Sequence, residues 1–305
     1  MKLVSVSRGE NVRIGVFKGD AIIDLRMAYA QWLTQSGQAD AAAQAEQAVP
    51  ASMVDLIKHS RSLFEQFGLA VSRADASCQV DQNAWKLCAP LQRPGKIIGV
   101  GRNYGAHSKE GGMAKQEEPR LFVKMSSSVI GPDATIVCPP SVHKLDWEVE
   151  IAVVVGQTIK DMTPDEAMSR VAGYTLLNDV SAREFQFDVS PPQTTFAKSM
   201  DTFTPMGPCL VTADEIADHG NLDLMCWVND ELMQSGNTSD MIFSIPYILS
   251  YISRFVTLEP GDVIATGTPA GVGHFMNPPK YLKSGDRVRL HSPVIGDLVN
   301  VVASR

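Results

Sequence analysis

Glu148 and Glu150 lie two residues apart at the head of an apolar run that continues through Val155. A strand sends alternate side chains to one face, so the two carboxylates share a face, and the apolar run implies burial on both sides. Leaving both ionised in a core costs on the order of several kcal/mol, which calls for a cation. All-oxygen ligation favours Mg²⁺, Mn²⁺ or Ca²⁺ over zinc. Asp179, which ends the apolar run beginning at Tyr174, is the candidate third ligand, and Asp146 shares the face of the glutamates and is an alternative to either. Spacing alone leaves a solvated acidic edge strand as an equal reading.

His107 precedes Glu110 by three residues, which on a helical turn puts both side chains on one face. A neutral imidazole oriented by a carboxylate can take a proton near neutral pH. A surface His beside a surface Glu has the same spacing. The other histidines, His59, His143, His219, His274 and His291, show no comparable partner in the sequence. Lys198, among small and apolar residues, suits a carboxylate or enolate oxygen, with an ion pair to Asp201 as the alternative. Thr268, in a Gly-Thr-Pro turn, offers a hydroxyl and a nearby backbone N–H to an anion, although turns also use Thr structurally.

The elements that must hold these residues are mostly strands. Residues 1 to about 28 alternate as short strands around a Gly19-Asp20 turn, and residues 27 to 70 turn helical with a stop at Pro50. A linker at 91–96 precedes strand-like runs at Ile97, Leu121, Glu148 to Val155, Tyr174 to Leu177, Leu224 to Val228, Val263 and Arg287 to Leu290. Thr163 with Glu166 predicts a capped helix through Arg170, and Ser244 with Pro246 opens another toward Phe255. Asn229-Asp230 and residues 259–262 read as turns, which predicts a mainly antiparallel structure. The glycines at 99, 101 and 105 miss the dinucleotide fingerprint by one position, and those at 267, 271 and 273 lack the Lys-Ser/Thr of a phosphate loop. Both read as tight turns.

With 305 residues, 44% of them hydrophobic, the chain can form one large domain and a smaller one. Its net charge of −7 leaves no basic surplus for a phosphate backbone, so nucleic acid is not an expected partner. Nor is a membrane, because no segment approaches the roughly 20 apolar residues of a span. Cys78, Cys88, Cys138, Cys209 and Cys226 are scattered and never form a C-x-x-C pair, so they read as buried thiols in a reducing compartment. With no signal-peptide pattern at the N-terminus, the expected location is the cytoplasm.

Taken in order, five strings resemble the fumarylacetoacetate hydrolase family: Gly-Arg-Asn-Tyr-x-x-His at 101–107, Glu-x-Glu at 148–150, Asn-Asp-Val-Ser-Ala-Arg at 178–183, Ala-Lys-Ser-x-Asp at 197–201 and Gly-Thr-Pro-x-Gly-Val-Gly at 267–273. The resemblance covers residues 93–302 strongly, while residues 1 to about 75 look like a variable N-terminal domain. It implies an α+β, mainly β protein, with a mixed β-sandwich roll catalytic domain at 97–305, a small N-terminal α/β domain at 1–75 and a linker at 76–96. It further implies a homodimer, Mg²⁺ or Mn²⁺ on Glu148, Glu150 and Asp179, and a His107–Glu110 dyad on a mobile lid. Lys198 matches the family's active-site lysine, Gln186 its glutamine and Thr268 the threonine that meets the substrate carboxylate, and Arg102 borders the site. Gly105-Ala106 and Met125 depart from the common pattern.

The expected reaction is metal-dependent hydrolysis of a carbon–carbon bond in a small 2-oxo acid such as a 3-acylpyruvate, giving pyruvate and a carboxylic acid in aromatic catabolism. Lys198 and Gln186 are the expected oxyanion stabilisers. The same metal–enolate chemistry admits oxaloacetate-type decarboxylation or 2-hydroxy-diene diacid isomerisation. A noncatalytic metal-binding protein would keep the carboxylates but gain nothing from the dyad.

Overall fold

The computed structural model describes residues 1–110 and 116–305. An eleven-stranded open sheet runs in the order Ala21–Asp24, Asn11–Lys18, Lys2–Arg8, Thr204–Thr212, Val171–Asn178, Val149–Val155, Val263–Ala265, Ile97–Gly101 and Arg120–Lys124, with Lys86–Cys88 and Val129–Ile130 pairing alongside. A five-stranded sheet orders Glu231–Asn237, Asp223–Val228, Arg287–Ser292, Gly296–Ser304 and Thr135–Cys138. Most pairings are antiparallel, including those on both sides of Val149–Val155. Val263–Ala265 with Ile97–Gly101 is a parallel exception.

Both faces of the large sheet are covered, which explains why Val149–Val155 reads as a continuous apolar run. On one face Ala152 and Val154 pack with Leu25, Leu56 and Phe67 of the N-terminal helical region. On the other, Val149, Ile151 and Val153 pack with Leu224, Cys226, Leu290 and Leu298 of the smaller sheet. Each such aliphatic side chain contributes about 1.5–3 kcal/mol when fully removed from water. The first strands belong to the same sheet as the later ones, since Leu3 pairs with Leu210.

Local chemistry accounts for most element ends. Asn229 and Asp230, both at positive φ (50° and 67°), make the two-residue turn of a hairpin whose twist matches its strands. Thr163 caps Pro164–Met168 through a reciprocal box with Glu166, and this helix stops short of the Arg170 expected from sequence. Pro246 sits in the first turn of Ile245–Ser253, which ends before Phe255. A short helix, Gly105–Glu110, does open after the first glycine loop, contrary to the tight turn read there. The sequence also hides the nine-residue strand Thr204–Thr212, because Pro205, Gly207 and Pro208 read as strand breakers.

All five cysteines are thiols; Cys78, Cys209 and Cys226 are buried, whereas Cys88 and Cys138 are half-buried. Among the described residues no helix is long and apolar enough to cross a membrane.

Candidate active site and metal centre

The carboxylates meet because two antiparallel strands are in a fixed register. Val149 pairs with Asn178, the Glu148 N–H donates to Asn178 Oδ1 at 3.0 Å, and the Asp179 N–H donates to the Glu148 carbonyl at 2.9 Å. Ligand oxygens of Glu148, Glu150 and Asp179 therefore lie within 4.8 Å of one another. The three residues are 5%, 1% and 0% exposed, which removes the solvated edge strand as an explanation of the Glu-x-Glu spacing.

Three buried cations face this cluster. Lys198 Nζ donates to Glu148 Oε2 at 2.8 Å, Asp179 Oδ2 at 2.6 Å and Ser181 Oγ at 2.8 Å. Its salt bridges are thus with Glu148 and Asp179, not with Asp201. Lys124 Nζ donates to Asp179 Oδ1 at 2.6 Å and to the carbonyls of Lys198 and Phe203. Arg183 Nη2 lies 2.7 Å from Glu148 Oε1.

Burial opposes ionisation of Glu148, but Lys198, Arg183 and His107 outweigh it and hold the carboxyl well below its ordinary range. Burial also opposes the Lys198 charge, yet Asp179 and Glu148 keep its pKa raised. Glu150 is the exception. Burial first, then the neighbouring Asp179 and Glu148 charges, push it well above the usual carboxylate range. Its hydrogen-bond donor is the Gly267 N–H, at 2.8 Å.

The donor set fits a divalent cation. It is all oxygen and anionic, the Lys198 ammonium already stands between Glu148 and Asp179 as a cation would, and among the described residues Glu150 forms no salt bridge. Asp146 is not an alternative ligand. It accepts from Arg183 Nε at 2.8 Å and from the Gly273 and His274 N–H groups, so it pins the glycine turn and orients Arg183.

That turn places the next residues. Gly267 (φ 103°) has no room for a side chain, since a Cβ would stand 2.7 Å from Asn103 Cβ. Gly271 donates its N–H to Glu110 at 3.1 and 3.2 Å. His107 Nδ1 then lies 3.5 Å from Glu110 Oε2, a loose orienting contact, with the His107 side chain 8% exposed. Asn103 fixes the start of this segment by donating to the carbonyls of Phe243 and Thr266.

Thr268 is also in place, but its hydroxyl donates to the Val149 carbonyl at 2.9 Å and accepts from Gln234 Nε2 at 2.8 Å. The hydroxyl proton expected to meet an anion is thus engaged with the backbone. Gln186 accepts from Arg183 Nη1 at 2.8 Å, which leaves its NH₂ end as the donor. Two histidines lacking a recognisable partner in the sequence do have one: His274 Nδ1 lies 3.0 Å from the Tyr281 hydroxyl and His291 Nδ1 3.0 Å from Asp297.

A single cavity of about 810 Å³ collects the chemistry. His107, Glu148, Glu150, Lys198, Gln186 and Thr268 line it, as do Arg102 and Arg120, with Phe122, Phe187 and Phe275 as apolar wall. Sequence reasoning assigned no role to Lys124, Arg183, Gln234 or Arg120. Arg183 lay within a quoted motif, whereas Lys124 gave no signal, because the alternation of Arg120–Lys124 sets it on the face of Arg120, opposite Leu121 and Val123, and only the structure shows it buried.

A model of the fumarylacetoacetate hydrolase C-terminal domain matches residues 96–303. The mitochondrial oxaloacetate tautomerase FAHD2B of Bos taurus is 41% identical over 260 residues, 84% of this chain and 81% of that protein. A fumarylacetoacetate hydrolase from Exiguobacterium antarcticum shares the fold over 100% of both chains, with 35% identity and a TM-score of 0.80. The maleylpyruvate hydrolase of Sphingobium sp. SYK-6, solved with manganese(II) and pyruvate, is 30% identical at a TM-score of 0.76, covering 100% of this chain and 99% of its own.

Proposed function

This chain belongs to the fumarylacetoacetate hydrolase family, and from that membership we propose that it interconverts the enol and keto forms of a 2-oxo acid of the oxaloacetate type. The observation that carries this reading is the shared cavity, in which a histidine base, a buried ammonium and an acidic cation site face one space. The tautomerase relative, at 41% identity, ranks this reading above the hydrolysis expected from the sequence.

Mg²⁺ or Mn²⁺, held by Glu148, Glu150 and Asp179, would supply Lewis-acid polarisation of the 2-oxo group when bound, with Ca²⁺ as a possible substitute. Within the chain, Glu110 orients His107 through Nδ1, leaving Nε2 to carry the proton that moves at C3. In the ketonising direction C3 gains that proton as the enol hydroxyl loses its own. Lys198 contributes positive charge beside the carboxylates, and Gln186 offers N–H donors to oxygen charge that develops on the substrate.

A second reading, hydrolysis of a 3-acylpyruvate, is favoured by the His107–Glu110 pair, which can activate water as readily as it moves a carbon-bound proton. One experiment separates the two. Freshly dissolved enol oxaloacetate is followed by its ultraviolet absorbance with protein and Mg²⁺, with and without chelator, and acetylpyruvate is incubated in ¹⁸O water. Chelator-sensitive acceleration of enol decay is expected. Pyruvate with ¹⁸O-labelled acetate, and no acceleration of enol decay, would replace tautomerisation by hydrolysis.

A homodimer belongs to the same proposal. The strand Arg120–Lys124 ends the large sheet, and on and beside it Leu121, Val123 and Met125 are 37%, 49% and 52% exposed. Among the described residues nothing pairs with the outer side of this strand, and an apolar edge next to the cavity is suited to cover by a second copy. Light scattering after gel filtration should give twice the chain mass, and a monomer at all concentrations would refute it.

A further inference from the structure

Arg102 and Arg120 stand on one wall of the cavity, and neither belongs to the acidic cluster. Their closeness is built into the sheet. Gly101 pairs with Arg120 across two neighbouring strands, and Arg102 follows directly at φ 60°, a left-handed conformation that a non-glycine residue holds at a cost of about 1–3 kcal/mol. Burial and then the adjacent Arg120 charge lower the pKa of Arg102, so the two guanidinium groups feel one another.

We propose that Arg102 and Arg120 together bind the distal carboxylate of the substrate, making the site selective for 2-oxo dicarboxylic acids over monoacids. This rests on the cavity being the 2-oxo acid site proposed above. The 2-oxo acid end belongs near the triad, where the cation site and Lys198 face the cavity. The opposite end of a short diacid then needs counter-charge, and planar guanidinium forks match a carboxylate in a way an ammonium does not. Bringing a carboxylate between two like charges also relieves their repulsion, which a methyl group does not do.

The test uses two probes that lack hydrogen at C3 and cannot enolise. 3,3-Dimethyl-2-oxosuccinate and 3,3-dimethyl-2-oxobutanoate differ only in a distal carboxylate against a methyl group. Binding of each to the full chain with Mg²⁺ is measured by calorimetry. The diacid is expected to bind roughly 10- to 100-fold more tightly, the range for a charge-assisted hydrogen bond. Arg120→Gln, at an exposed position on the edge strand, should remove most of that preference, and Arg102→Gln combined with it should abolish it while monoacid binding stays within about twofold. Equal binding of the two probes by the unsubstituted protein, or an undiminished preference in folded Arg120→Gln, would overturn the assignment. Failure of the tautomerase reading gives a different pattern: no catalysed enol decay of oxaloacetate, with the diacid preference intact.

Discussion

Glu150→Gln is expected to abolish metal binding and catalysis while leaving the metal-free protein as stable as the unsubstituted chain, or more so. Glutamine keeps the acceptor oxygen for the Gly267 N–H and adds donors beside Asp179 and Glu148, where the carboxylate now meets two like charges. The sign of the pH dependence follows. Because the folded Glu150 carboxyl is held above its ordinary value of 4.5, its contribution to stability is complete below that pH and is lost as pH rises through the folded value. The glutamine variant lacks this loss, so its metal-free melting temperature should fall less from acid toward neutral pH. Losing a partner one step removed from a metal already costs about 10–100-fold in affinity, so losing a direct ligand should exceed roughly 10²-fold by calorimetry with Mg²⁺ or Mn²⁺. Asp179→Asn should behave differently, because Lys124 and Lys198, both buried, would each lose a carboxylate. Breaking such pairs costs about 3–5 kcal/mol. A metal-free Glu150→Gln protein that melts well below the parent, or one that keeps its Mg²⁺ affinity, would show that Glu150 serves the fold rather than a cation.

That contrast between two carboxylates of one cluster was not legible in the sequence, although the cluster itself was. Glu148 and Glu150 are found by a period of two ahead of an apolar run, and His107 with Glu110 by one helical turn, because both patterns are local. The groups that set each carboxylate's environment are remote. Lys124 lies 55 positions from Asp179, Lys198 50 from Glu148 and Arg183 37 from Asp146. No spacing rule joins them; the fold does, by bringing the end of the Arg120–Lys124 strand and the end of the Thr194–Ala197 helix onto carboxylates that the register between Val149–Val155 and Val171–Asn178 has aligned. Asp146 shows the same limit from the other side. Its place in the sequence made it a plausible ligand, and only the folded Gly273 turn reveals that its oxygens are already used. The strand Thr204–Thr212 escaped for a related reason, since its proline and glycine positions are tolerated by partners that local propensity does not contain.

His107→Ala is expected to reduce catalysed tautomerisation by roughly 10²-fold or more, the usual size of a general acid–base loss, with metal affinity nearly unchanged. The distinction rests on where the ring sits. His107 lines the cavity and touches Glu110, whereas the triad's carboxylates are hydrogen-bonded to Lys198, Lys124 and the Gly267 N–H. Removing the imidazole therefore removes a proton carrier without removing a ligand. Glu110→Gln should cost less, since the Gly271 N–H can still anchor the side chain and the imidazole keeps its lone pair. Two measurements make the role specific. Deuterium from D₂O should enter C3 of oxaloacetate faster with the parent protein and Mg²⁺ than with His107→Ala, and added imidazole should restore part of the rate, because a cavity of about 810 Å³ leaves room for it. Imidazole rescue requires a missing proton carrier; a collapsed pocket or a lost cation would not respond to it. A variant that exchanges deuterium at the parent rate would remove His107 from the proton path and leave Lys198, an ammonium on the cavity wall beside Glu148 and Asp179, as the residue to test next.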